Sequence, residues 1–276
     1  MFGLGRIELK SLDEIALMRA AGLVVADALD AARAAAVVGS TTASVDAVAA
    51  AVIREAGAQS SFLGYQGFPA TTCISVNDEV VHGIPGERVL RDGDLVSIDC
   101  GAIVDGWHGD SALSFVVGGA DPADLALVDV TRDAMWAGVA ALAGATRLSE
   151  IGAAVEAHVE EHAPADGGYG IVQEYVGHGI GSAMHQSPDV PNFRTRDRGP
   201  KIRPGMCLAI EPMVTRGERF TQVCEDDWTV VTDDGTRAAH WEHTVAVLED
   251  GIFVLTARDG GRSALEPLGV TLSSLL

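Results

Sequence analysis

SIDCGAIVDGWHGDSA, residues 97–112, reads as two short apolar strands joined at Asp105-Gly106. Asp-Gly is a favoured pair for a two-residue hairpin turn, whose central positions need positive φ. That turn sets Ala102 opposite Gly109 and Gly101 opposite Asp110. Asp99 shares a face with Gly101, so Asp99 and Asp110 become diagonal neighbours, roughly 7–8 Å apart at the backbone. Ile98 and Cys100 take the other face. Taken alone, one acid at a solvated edge and one capping a turn would account for the pair.

The hairpin follows two helices. Ser11-Leu-Asp-Glu14 is a capping-box pattern, and Ile15, Met18, Gly22, Val25 and Leu29 recur at helical steps across residues 11–36. Val45, Val48 and Val52 mark a second helix ending near Gly57. The plan returns further on. Asp121-Pro122 opens a helix to about residue 143, and Leu148, Ile151 and Val155 mark the next. EIALM at 14–18 resembles DLALV at 124–128. Halves of roughly 1–118 and 119–276 are therefore expected to repeat one plan of two helices followed by sheet. Strands are expected in TTCISVN, DLVSIDCGAIV, GWHGDSALSFVVG, MCLAIEPMV, WTVV and HWEHTVAVLED. With no linker between the halves, the fold class is α+β, one domain over 1–276.

The chain has 276 residues and is 47% hydrophobic, enough for a large core. Its longest apolar stretch, LALVDVTRDAMWAGVAALAGA, is broken by Asp and Arg, which excludes a membrane span. MFGLGRIELK lacks a signal-peptide pattern, so a cytoplasmic protein is expected. Cys73, Cys100, Cys207 and Cys224 form no C-x-x-C pair and read as reduced, packed thiols. A formal charge of −20 works against binding to nucleic acid or anionic membrane.

The second half gives the hairpin acids a context. Glu211 in LAIEPMV and Glu242 in HWEHTVAV are again acids inside apolar strands, with no embedded Lys or Arg to pair with them. Four ionised carboxylates at one site would repel by about 4 kcal/mol per close pair at an effective dielectric near 20. Protons relieve this at an acidic site; divalent cations do so at neutral pH. With a neutral imidazole added, the set suits two ions roughly 3.5–4 Å apart. His178, between Gly177 and Gly179, His185 and His82 are candidate imidazoles, though each alone also fits a turn or core position. His108, His158, His162, His240 and His243 read as surface or core.

The ordered series His82, Asp99, Asp110, His178, His185, Glu211 and Glu242 resembles the methionine aminopeptidases, most closely the short bacterial type I form of the pita-bread metallopeptidases. SVNDEVVHGIP, DGDLVSIDCGAIVDGWHGDSA, YVGHGIG, MHQSPDVPNF, IEPMV and WEHTVAV carry the resemblance, which runs from about residue 11 to 256. It implies a pita-bread fold, two related halves around a curved antiparallel sheet. It also implies two divalent ions, with cobalt, manganese, iron, zinc and nickel all admissible. Asp99 would chelate one ion, Asp110 and Glu242 would bridge both, and His178 and Glu211 would complete the other. The cations would acidify the attacking water, with Glu211 shuttling its proton. His185 would stabilise the oxyanion, and His82 would contact the substrate near the scissile amide.

The same resemblance assigns an apolar pocket for the methionine side chain to Tyr65, Phe68, Cys73, Met184 and Trp228. Phe62 stands there where a smaller residue is usual, and Ser182 stands where a basic one is common. The implied activity is removal of N-terminal methionine from nascent proteins and peptides, preferentially before a small second residue. Transient ribosome contact and a monomeric state are expected with it. Two other readings stay open: an X-Pro aminopeptidase or prolidase, whose relatives share the ligand types, and a non-catalytic binding protein of the same fold.

Overall fold

Ser11 opens the first helix as its sequence pattern requires. Its Oγ accepts from the Glu14 N–H at 3.4 Å, while Glu14 Oε2 accepts from the Ser11 N–H at 2.7 Å. This reciprocal cap satisfies two donors that a helix start leaves unpaired. The computed structural model describes residues 5–165 and 167–275; the first four residues of MFGLGRIELK lie outside them.

Helix α1 spans Leu12–Ala35 and α2 spans Thr42–Glu55. Five strands follow: β1 Gln59–Ser60, β2 Thr72–Val76, β3 Glu79–Val81, β4 Leu95–Val104 and β5 Trp107–Val116. The second helix pair is α3 Pro122–Gly144, capped by Asp121, and α4 Ser149–Glu161. Then come β6 Gly170–Ile171, β7 Gly177–Gly179, β8 Gln186–Val190, β9 Cys207–Ile210 and β10 Met213–Thr215. The chain continues through β11 Thr221–Val223, β12 Val230–Thr232, β13 Ala238–His240, β14 Glu242–Leu248, β15 Gly251–Val254 and α5 Arg262–Leu265.

Nine strands form one sheet in the order β1-β4-β5-β14-β9-β7-β8, with β2 also on β4 and β15 also on β14. Two three-stranded sheets, β13-β10-β6 and β11-β12-β3, flank it. Antiparallel pairing of β5 with β14 carries the large sheet across from residues before 118 to residues after 119. MCLAIEPMV, expected as one strand, is two: β9 lies in the large sheet and β10 in a small one. Pro212 stands between them and has no N–H to continue a ladder. Glu211 therefore sits where the chain leaves one sheet for the other.

The helices cover the apolar face of the sheet. Val25, Leu29 and Val45 pack with Ile98, Cys100 and Ala102. Met135, Val139 and Ile151 pack with Leu208, Ile210 and Val245. Two glycines let α1 approach β5 at backbone distance: a Cβ on Gly109 would lie 2.7 Å from the Gly22 nitrogen. Gly109 thus faces the helix, and the pleat turns its neighbour Asp110 to the opposite face. Among the described residues no helix is long and apolar enough to cross a membrane.

Candidate metal centre

The hairpin turn lies where the Asp-Gly pair predicts. Asp105 and Gly106 have φ of 48° and 84°, and Val104 pairs with Trp107. The register then sets Gly101 opposite Asp110 and Asp99 opposite Ala112. On the next strand, Glu242 is also opposite Ala112. Beyond it His243 pairs with Ile210, which brings Glu211, just past the end of β9, to the level of Glu242. Gly179 pairs with Leu208, and this adds His178 from β7. Five adjacent strands, β4, β5, β14, β9 and β7, thereby deliver Asp99, Asp110, Glu242, Glu211 and His178 to one cavity of about 250 Å³.

Ligand atoms of Asp110, His178 and Glu242 all lie within 4.8 Å of one another. Glu211 Oε1 is 3.4 Å from His178 Nε2. Burial, reinforced by the neighbouring acids, pushes the carboxyls of Asp99, Glu211 and Glu242 well above their ordinary range. Burial also raises Asp110 to about 7, although hydrogen bonds from Asp99 and the Ser111 N–H oppose it. Asp99 Oδ1, Asp110 Oδ1 and Glu242 Oε1 are buried and, among the described residues, have no hydrogen-bond partner. Such atoms are costly unless something cationic meets them.

His178 is held in the form a cation needs. Its Nδ1 lies 3.0 Å from the Gly179 carbonyl, which can only accept, so Nδ1 carries the hydrogen and the Nε2 lone pair faces the acids. Burial, with the nearby His185, lowers its pKa to about 3 and keeps the ring neutral. Four carboxylates and one neutral imidazole, with three buried oxygens unpartnered, are a hard-donor set that fits divalent ions.

The remaining expected residues line the same cavity. Phe62, Phe68, Cys73 and Met184 form one buried cluster with Tyr65 and Trp228 against it. Phe68 and Trp228 meet edge to face at 5.0 Å between ring centres. An Asp226 turn fixes Trp228: Asp226 Oδ1 accepts from the N–H groups of Trp228 at 2.9 Å and Thr229 at 2.8 Å. Cys73 is the register partner of Asp99, so the apolar pocket abuts the acids. The bulk of Phe62 is accommodated by Gly101, where an added Cβ would lie 2.9 Å from the Phe62 ring.

His185 stands 4.3 Å from His178, ring centre to ring centre, and its Nδ1 is 2.8 Å from the Tyr65 hydroxyl. His82 has a left-handed φ of 61° and meets Tyr175 and Trp228 edge to face. Burial, then the neighbouring His185, lowers its pKa to about 4.

One histidine assigned to the surface or core stands beside the acids. His240 is buried, and its Nε2 is 3.6 Å from Glu211 Oε2. The available signal was its two-residue spacing from Glu242, weakened because β13 and β14 belong to different sheets. His108, read the same way, lies two residues along β5 from Asp110, with its Nδ1 2.9 Å from Ser61 Oγ.

Residues 16–249 match the family model described as Metallopeptidase family M24. The chain belongs to this family. Within the M24 family it is 53% identical to Methionine aminopeptidase 1 of Mycobacterium tuberculosis, over 90% of this chain and 94% of that one. The crystal structure of a methionine aminopeptidase from Thermotoga maritima superposes with a TM-score of 0.86 at 38% identity, covering 92% of this chain and all of that one. These matches group the chain with the type I methionine aminopeptidases of M24 and give its curved sheet the pita-bread fold. A prolidase from Pyrococcus furiosus shares the fold at 21% identity and TM-score 0.72, covering 90% of this chain but 65% of its own.

Proposed function

We propose that this M24 peptidase removes N-terminal methionine from nascent proteins and peptides, preferentially when the next residue is small, and does so with two divalent ions. The observation that carries the reading is the set of unpartnered buried carboxylate oxygens directly against an apolar pocket of Phe62, Phe68, Cys73, Met184 and Trp228. In this reading Asp110 and Glu242 would be shared by the two ions, Asp99 would help hold one, and His178 and Glu211 would help hold the other. When bound, the ions supply Lewis-acid polarisation of the scissile carbonyl and acidify water; cobalt, manganese, iron, zinc or nickel suits these donors.

The chain's own groups do the rest. The apolar pocket takes the methionine side chain, and Asp99 marks the side on which the free α-amine binds, which restricts cleavage to the first residue. Glu211 takes a proton from the attacking water and returns one to the leaving amine. A Tyr65 hydroxyl donating to His185 Nδ1 leaves Nε2–H of His185 to face the developing oxyanion, and His82 contacts the peptide near the scissile bond. The halves 1–118 and 119–276 act as one catalytic domain. The expected setting is a cytoplasmic monomer that meets the ribosome transiently and binds no nucleic acid.

The test is turnover of Met-Ala-Ser beside Leu-headed and X-Pro peptides, after metal removal and after restoring each ion. Methionine release that depends on added metal supports the reading. Preferential X-Pro cleavage would favour a prolidase-like enzyme, and a protein inert with every ion a binding module.

A further inference from the structure

One wall of the cavity is the loop 180–185, which leads into β8 at Gln186 and whose inner side presents Met184 and His185. Its outer side is gripped by the arm that precedes α1. Glu8 accepts from the Ser182 N–H at 3.1 Å, the Ser182 hydroxyl at 2.7 Å and Gln186 Nε2 at 2.9 Å. Lys10 Nζ donates to Gln186 Oε1 at 3.1 Å and lies 3.5 Å from Glu8 Oε2. The Gln186 amide therefore has one satisfactory orientation, its NH2 on the carboxylate and its oxygen on the ammonium.

Lys10 is an unusual choice for a mere tether. Its side chain is 1% exposed, and burying an ammonium is costly unless its partners are fixed. Besides the Gln186 oxygen and the Glu8 carboxylate, Nζ donates to the Glu8 carbonyl at 3.2 Å, and the Lys10 backbone N–H is held by the Gly205 carbonyl at 2.8 Å. Gly181 lets the arm come close, since a Cβ there would lie 2.7 Å from Lys10 Nζ. The Gly181 carbonyl in turn accepts from the His108 N–H at 2.9 Å, so the loop is pinned between the arm and the strand that carries Asp110. Burial opposes ionisation of Glu8, but the donors from Ser182 and Gln186, with the Lys10 charge, outweigh it and lower its pKa to about 2.

We infer that Glu8 and Lys10 are positioning residues for the reaction: by holding Ser182 and Gln186 they set Met184 against the side-chain pocket and His185 against the scissile amide. Ser182, the departure from the commoner basic residue, is the grip for Glu8. The role given to His185 rests on the proposed function; the clamp itself does not. Misplacement of a reacting group by about 1 Å can cost on the order of a hundredfold in rate. Loosening the clamp is therefore expected to cost about tenfold or more in kcat with KM for Met-Ala-Ser changed less.

The test is a cycle of Glu8→Ala and His185→Ala in the full chain loaded with metal, with metal content and amide exchange of residues 182–186 followed alongside. Glu8→Ala should keep its metal, lower kcat and speed exchange of those amides. On the His185→Ala background it should cost no more than about twofold, because coupled residues do not add. An equal loss on both backgrounds, or unchanged exchange in Glu8→Ala, would overturn the inference. Should Glu8→Ala fail to fold, Ser182→Ala removes one leg of the clamp and runs the same cycle. An inert wild type would sink the function reading, while amide exchange would still decide the clamp.

Discussion

Asp99 and Glu242 share one register partner. Ala112 of β5 stands opposite Asp99 of β4 on one side and opposite Glu242 of β14 on the other. Register partners point to the same face of a sheet, so the Ala112 methyl lies among the acids, 1% exposed. A larger side chain would occupy the space in which cations are expected. Ala112→Leu should fold but lose about 10- to 100-fold in metal affinity, the range seen when residues around a metal site are disturbed. Calorimetric titration of the metal-free protein measures this; unchanged affinity would mean that the cations sit elsewhere.

Asp110 and His185 line the same cavity but should fail differently. Asp110 contributes a ligand atom to the Asp110, His178 and Glu242 cluster, whereas His185 contacts Tyr65 and stands beside that cluster. Asp110→Ala should lose both metal and activity. His185→Ala should keep its metal and lower kcat by about 100- to 1,000-fold, the usual cost of an oxyanion donor. Metal analysis beside steady-state kinetics separates the two, and full metal content with near-normal turnover in Asp110→Ala contradicts the ligand assignment.

The metal-free protein should lose stability as pH rises from about 6.5. Asp110 is raised to about 7 by burial, and Asp99, Glu211 and Glu242 are raised by burial and one another. In this window the unfolded chain has already released these protons, so the folded state binds more, and stability falls as pH climbs through the folded values. Below it, His178 and His240, lowered to about 3, and His82, His108 and His243, lowered to about 4, work with the opposite sign. Thermal unfolding across pH 6.5 to about 8, with and without divalent ions, tests this. The fall should vanish when metal is present, because bound ions favour the ionised carboxylates.

Packing behind the site gives a prediction independent of chemistry. A Cβ on Gly109 would lie 2.7 Å from the Gly22 nitrogen, and one on Gly22 would collide with the Leu255 carbonyl. Both obstacles are backbone and cannot rotate away. Gly22→Ala and Gly109→Ala should each cost about 1–3 kcal/mol, as overpacking does. Gly144, at the end of α3 with open space around it, is the control. Gly144→Ala should be neutral or stabilising by up to about 1 kcal/mol. Denaturant unfolding of the three variants decides it.

The hairpin is legible in sequence because Asp-Gly demands its turn and the turn alone sets the register of Asp99 and Asp110. The capping box at Ser11 and Glu14 is equally local. Glu211 and Glu242 can be grouped with the hairpin by their chemistry, as acids without partners in apolar strands. That β14 pairs with β5, and so places Glu242 opposite Ala112, is a contact over more than a hundred residues which no local pattern encodes. The break at Pro212 was available as a signal, yet the apolar run around Glu211 reads as continuous. His240 and Glu8 stay hidden because their meaning lies in partners remote in sequence: Glu211 Oε2 for one, Ser182 for the other.

The most direct test of the central claim is release of methionine from Met-Ala-Ser by the purified protein, stripped with a chelator and then titrated with divalent ions. The stripped protein should release none, and recovery should saturate as two ions bind per chain. Release undiminished after stripping, or none with any ion restored, would contradict the claim.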